Sequence, residues 1–239
     1  ELSVHSLGST GLSVLLLSTA GGAVLHTLAG PDHYLPFIVM GRARRWSVLR
    51  TIGWTVLCGV GHVGSSVLLA VAGVLLGYGL EHVQLIEEWR GSLAAWAMIA
   101  FGAVYLAWGL NRALRGSLPG HSHGSGHAHS HGGGQADHAH DEERGFRLTP
   151  WILFTIFVFG PCEPMIPLVM YPAAQGHWTE MWTVVTVFSA LTIGAMLFAV
   201  LLARRGIALL PLHRLERYTH AVAGGVVLLA GCAIQFLGL

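Results

Sequence analysis

Three side chains within one short stretch, HTLAGPDH, can bind a cation: His26, Asp32 and His33. Imidazoles and a carboxylate together are borderline ligands. They suit Ni(II), Co(II), Zn(II) or Cu(II) far better than Na⁺, and calcium or magnesium would want mostly oxygen. His26 and His33 are seven apart, so they share a face if the helix stays roughly continuous. A third imidazole, His62, lies in GVGHVGSSVLL, and Cys162 and Glu163 are neighbours in GPCEPMIPLVM. The chemistry these types offer is reversible coordination. HExxH is absent, and no convincing Ser-His pair for intramembrane hydrolysis occurs, so an enzyme is not expected.

The setting of these groups is apolar. The chain has 239 residues, of which 53% are hydrophobic and only 10% charged, with a mean hydropathy of +0.60. That is the composition of a membrane protein. A formal net charge of +1 gives no reason to expect nucleic acid as a partner. The three cysteines form no CxxC, which argues against a disulfide framework or a zinc ribbon. No basic segment with a cleavage site opens the chain, so no signal peptide is expected.

A helix that crosses the hydrocarbon needs roughly 20 apolar residues. On that basis six spans are predicted, at about 9–40, 47–78, 92–113, 149–172, 181–203 and 217–238. All 13 cationic residues are arginine. Arg42, Arg44, Arg45 and Arg50 follow span 1, Arg112, Arg115, Arg144 and Arg147 flank the connection between spans 3 and 4, and Arg204, Arg205, Arg214 and Arg217 separate spans 5 and 6. Only Arg90 falls on the other side, in a loop that His82, Glu81, Glu87 and Glu88 make acidic. The positive-inside rule then puts these three connections in the cytoplasm and both termini outside, with the cytoplasmic membrane as the location.

Residues 30–40, GPDHYLPFIVM, recur as residues 160–170, GPCEPMIPLVM, with Gly, Pro, Val and Met in register. Asp32 pairs with Cys162 and His33 with Glu163. Three spans separate the copies, an odd number, so the second half must be inserted upside down. The expected fold is an all-α polytopic membrane protein, six transmembrane helices in two inverted three-helix repeats. Residues 1–113 form the first half, 114–148 a cytoplasmic flexible loop, and 149–239 the second half. Such transporters place their site at the repeat interface near the midplane.

Spans 1 and 4 are expected to break at Gly30–Pro31 and Gly160–Pro161. A proline inside a helix removes one hydrogen bond and clashes with the carbonyl four residues back. The carbonyls near His26 to Ala29 should lose their helical partners and favour cations. Non-helical backbone is tolerated at that depth only inside protein or beside water. Asp32 and Glu163, ionisable groups at matching breaks, mark a pathway or site. Ser65 and Ser66, and the glycines of spans 2, 3 and 6, are expected to serve helix packing. Thr192 mirrors His62 only weakly.

The loop holds HSHGSGHAHSHGGGQADHAH, with seven histidines: His121, His123, His127, His129, His131, His138 and His140. Glycine and serine leave it no apolar face to fold against, and its composition signals auxiliary metal binding. No permanently bound cofactor is expected; the metal would be cargo. The lipid bilayer is the surrounding partner, a cytoplasmic metallochaperone a further candidate partner.

HTLAGPDH resembles the His…Asp-His signature of the nickel/cobalt transporter superfamily, here as His-x5-Asp-His. The Gly-Pro insertion is most similar to its NicO and urease-accessory permease branches. GHVGSS resembles that superfamily's segment on the next helix, and FGPCEPMIPLVMYPA its acidic motif in the second half. The resemblance covers most of the chain and rests on about twenty residues. It implies transport of Ni(II) or Co(II) across a cytoplasmic membrane, with ligand roles for His26, Asp32, His33 and His62, and less firmly Glu163. The longer spacing and Cys162 depart from the pattern and bear on metal choice. Two other readings stay open. Gly-Pro-Cys also resembles membrane thiol-redox carriers of the inverted-repeat type, although Asp32 stands where their first cysteine belongs. A membrane metal sensor or storage protein would bind metal without moving it.

Overall fold

The computed structural model describes residues 9–115, 149–208 and 216–238. The seven histidines of the loop, His121 to His140, lie outside the described residues. The described chain is helical, with no strand. In order come α1 (Ser9–Ala29), a short 3₁₀ turn (Pro31–His33), α2 (Leu35–Ala43), α3 (Val48–Leu75) and α4 (Leu80–Arg115). Then follow α5 (Thr149–Phe159), α6 (Met165–Ala174), α7 (Trp178–Ala208) and α8 (Thr219–Leu237).

Among the described residues, five helices are long and apolar enough to cross a membrane: α1, α3, α4, α7 and α8. Their outer faces carry Leu17, Leu68, Val104, Phe198 and Leu229, each between 66% and 73% exposed. Apolar surface on that scale calls for lipid rather than water as solvent. The chain is a multi-pass helical membrane protein. Polar side chains on these helices satisfy themselves locally. The hydroxyls of Thr19, Thr27, Thr51 and Thr55 each donate to the carbonyl one turn back, a bond that spares a lone polar group the cost of hydrocarbon.

Both breaks fall where the prolines require them. α1 stops at Ala29 and α2 starts at Leu35; α5 stops at Phe159 and α6 starts at Met165. The pieces α5 and α6 are each too short to cross alone.

Span 3 differs from the expectation. α4 begins at Leu80 rather than near residue 92, so Glu81, His82, Glu87, Glu88 and Arg90 lie on a helix and not in a loop. Glu87 is buried, at 1% exposure. The hydropathy rule ended the span where charges began, but a paired charge can sit inside a bundle.

Glycines set the tightest contact, between α4 and α8. A Cβ on Gly102 would lie 2.4 Å from Leu228 N, and one on Gly109 2.4 Å from Ala221 N. In return, a Cβ on Gly224 would lie 2.3 Å from Leu106 N. Backbone therefore meets backbone along an antiparallel pair, the small-residue packing that membrane helices use. α3 also runs antiparallel to α7: Gly59 faces Ile193 and Met196, and Arg204 bonds Thr51.

Candidate metal centre

The first break places two imidazoles. His26 sits in the last turn of α1 and His33 in the 3₁₀ turn that follows. The break does not leave a row of idle carbonyls, contrary to the expectation for His26 to Ala29. The His26 carbonyl accepts from Gly30 N at 3.0 Å and the Leu28 carbonyl from the Tyr34 hydroxyl at 3.3 Å. Gly30 O accepts from His33 N and from His33 Nδ1, both at 3.1 Å. Only glycine fits here, because a Cβ on Gly30 would lie 2.5 Å from His33 Nδ1 and 2.7 Å from Asp32 Oδ1.

α3 supplies the third imidazole. His62 is 2% exposed and its Nδ1 lies 3.3 Å from the Phe157 carbonyl at the end of α5. Ring centroids are 4.7 Å apart for His26 and His33, 5.0 Å for His33 and His62, and 6.3 Å for His26 and His62. A Cβ on Gly160 would meet His62 Nδ1 at 3.2 Å, so each Gly-Pro glycine makes room for one imidazole.

The hydrogen bonds fix which ring nitrogen is free. A carbonyl only accepts, so Nδ1 of neutral His62 carries the proton and donates it to Phe157 O. Nδ1 of His33 faces two acceptors, Gly30 O and Asp32 Oδ1, each at 3.1 Å, so it donates as well. Nε2 of each ring, when neutral, is then a lone pair. Nε2 of His26, His33 and His62 are all buried and without a hydrogen-bond partner. Three such atoms are costly in isolation, and coordination of a cation is what would satisfy them.

Cys162 joins them from the second break. Side-chain ligand atoms of His26, His62 and Cys162 lie within 4.8 Å of one another, a group that includes neither His33 nor Asp32. Asp32 stands beside His33 and orients its ring. Glu163 does not enter this group: it is exposed and lines the approach. Thr192 is fully buried with its hydroxyl unpartnered.

The sequence alone did not identify what holds the second break. Glu87 Oε1 accepts from Cys162 N at 2.8 Å and from Ser66 Oγ at 2.6 Å. Arg90 pairs with Glu87 Oε2, and its Nη2 donates to Val158 O and Ser65 Oγ, both at 2.7 Å. An ion pair on α4 thus satisfies the cut end of α5 and the first amide past Pro161. The available signal was the i, i+3 spacing of Glu87 and Arg90, opposite the paired serines of α3.

A cavity of about 360 Å³ reaches His26 and His33 past Glu88, Glu163, Asp32 and Gln235. A smaller space of about 20 Å³, room for roughly one water, lies between Asp32, His62, Phe157 and Pro161. On the opposite side the rings of Phe37 and Phe157 meet at 4.8 Å. Cys58, Met196 and Val200 complete this apolar plug.

Comparison of the chain with known protein families, with curated proteins and with solved structures finds no match.

Proposed function

We propose that this protein is a permease for a divalent transition metal, Ni(II) or Co(II), which binds between the two helix breaks. The observation that carries the reading is three adjacent buried imidazoles with unpartnered Nε2 atoms, two of which, His26 and His62, group with Cys162 at metal-binding distance. Imidazole with thiol is a borderline-to-soft donor set. The narrower choice of nickel or cobalt rests on the resemblance of HTLAGPDH and GHVGSS to the nickel/cobalt transporter superfamily.

The cavity and the plug give the transport cycle its two ends. Metal enters past Glu88 and Glu163, which attract cations, and exchanges water for imidazole at the breaks. Binding to histidine and thiol releases protons, which offers a means of proton coupling. Release then needs Phe37 and Phe157 to part. No nucleotide-binding motif appears in the sequence, so direct ATP coupling would need a partner subunit.

The architecture we propose is six crossings, with α1–α2 and α5–α6 each forming one broken span. Helix contacts support the inverted repeat. Exchanging the halves leaves the α4–α8 and α3–α7 contacts unchanged and turns the α3–α6 contact into the α2–α7 contact, and all four are present. Arg42, Arg45 and Arg204 gather around one cavity, while Arg44 bonds Thr149 beside them. That end faces the cytoplasm in this reading, with both termini outside and the histidine-rich loop inside, where it collects or passes on metal.

Purified protein in liposomes, with a metal-sensitive dye inside, tests this. Ni(II) or Co(II) flux is expected for the parent, and His26→Ala or His62→Ala should bring it to the rate of empty liposomes. Undiminished flux in either variant would remove the proposed site. Deleting residues 120–141 should leave a substantial rate, whereas a sensor or storage protein would bind metal and show no flux at all.

A further inference from the structure

A second cavity, of about 310 Å³, lies beyond the plug, where α2 turns into α3. Arg42, Arg45 and Arg204 line it over an apolar floor of Phe37, Val200 and Ile207. Arg204 is held in place: Nη1 donates to Thr51 Oγ1 at 3.1 Å and Nη2 to the Trp46 carbonyl at 2.8 Å. No carboxylate lines the cavity, and none among the described residues pairs with these three arginines. Three like charges beside apolar walls repel one another more than they would in water. An anion removes that repulsion; a metal cation would add to it.

Arg45 sharpens the argument. It is the one described non-glycine residue with positive φ, at 50°. It ends α2 in a Schellman turn, with Trp46 N bonded to Gly41 O at 2.8 Å and Arg45 N to Arg42 O at 3.1 Å. Glycine adopts this left-handed position at lower cost. Arginine there is strained, and its guanidinium gains a place at the cavity mouth in return.

The cavity does not end at the arginines. A neighbouring groove of about 200 Å³ shares Ile38, Arg42 and Ile207 with it and continues past Val39 of α2 and Val222 of α8. Val222 is 48% exposed, so the groove opens on the outer face of the bundle. A charged mouth that continues as an outward apolar groove is more than a free phosphate needs. It has the shape and polarity of a lipid, head first and chain behind.

The geometry points to a binding site for an anionic phospholipid. Its phosphate is held by Arg42, Arg45 and Arg204, and one acyl chain lies along Val39 and Val222 between α2 and α8. Basic pockets between membrane helices recognise such headgroups. A zwitterionic lipid carries the same phosphate, but also a cation that the three arginines repel.

Native mass spectrometry of the delipidated full chain in detergent tests the site. Phosphatidylglycerol, phosphatidylcholine and inorganic phosphate serve as separate probes. One phosphatidylglycerol should be retained in preference to phosphatidylcholine. Arg42→Gln and Arg45→Gly should each weaken that retention by about fivefold. Arg45→Gly is the more telling variant, because relief of the turn should hold or raise its thermal midpoint while lipid is lost. Equal retention of the two lipids, or unchanged retention in both variants, overturns the site. Retention of inorganic phosphate in place of phosphatidylglycerol, with the same sensitivity to the variants, overturns the lipid as its occupant.

Discussion

Asp32 is adjacent to the candidate metal centre, and its geometry assigns it a role through His33. Its Oδ1 lies 3.1 Å from His33 Nδ1, the nitrogen that also bonds Gly30 O. A carboxylate in that position holds the ring and keeps the proton on Nδ1, leaving Nε2 for metal. Asp32→Ala should therefore weaken Ni(II) binding by about 10–100-fold, the usual cost of removing such an orienting group. Asp32→Asn keeps an acceptor for Nδ1 and should lose clearly less. Isothermal titration of both variants separates the roles: if Asn and Ala lose equally, the carboxylate charge itself contacts the metal. Cys162 bears on the thiol-redox alternative. Cys162→Ser should leave metal binding measurable but alter its preference toward harder cations, whereas a thiol carrier would lose all activity.

At the scale of elements, the two breaks are repaired by different means. The first closes on itself through Gly30 O, His33 and Tyr34. The second depends on α4, since Glu87 accepts from Cys162 N and Arg90 donates to Val158 O. Glu87→Ala would leave the partly buried Arg90 without its counter-charge and the buried Cys162 amide without its acceptor, at a cost of about 3 kcal/mol. Its thermal midpoint should fall well below that of Glu87→Gln, which still accepts from Cys162 N; equal midpoints would mean the hydrogen bond to Cys162 N does not brace the break. This contrast also explains what could be read from sequence. Gly-Pro acts through the backbone of its own helix, so both breaks and the residues beside them, His26, His33 and Cys162, were legible. The Nδ1 bonds that free Nε2 of His33 and His62 depend on carbonyl positions, which no residue type encodes. Glu87 and Arg90 were not legible either. Their charges end an apolar run, and a hydropathy window cannot distinguish a solvated loop from a pair folded against Ser65, Ser66 and a cut helix.

Across the whole molecule, the candidate metal centre has a cavity on one side and an apolar cluster on the other. Glu88 and Glu163 line the open cavity, while Phe37 and Phe157 separate the imidazoles from the arginine-lined end. The proposed six crossings would place Glu88 and Arg205 on opposite sides of the bilayer, because α4 and α7 carry these residues near opposite termini. Single cysteines test that placement. Cys58 and Cys162 are buried and Cys232 is only partly so, so a Cys232→Ser background leaves little native thiol for a bulky reagent. In intact cells a membrane-impermeant maleimide should label Glu88→Cys directly and Arg205→Cys only after permeabilisation. Labelling of both from outside would break the proposed crossing order and the sidedness drawn from the arginines. Phe157→Ala in the same background should open the plug. It should then allow metal to leak through liposomes without saturation, because the barrier between cavity and arginines is the contact of those two rings and not the imidazole site itself.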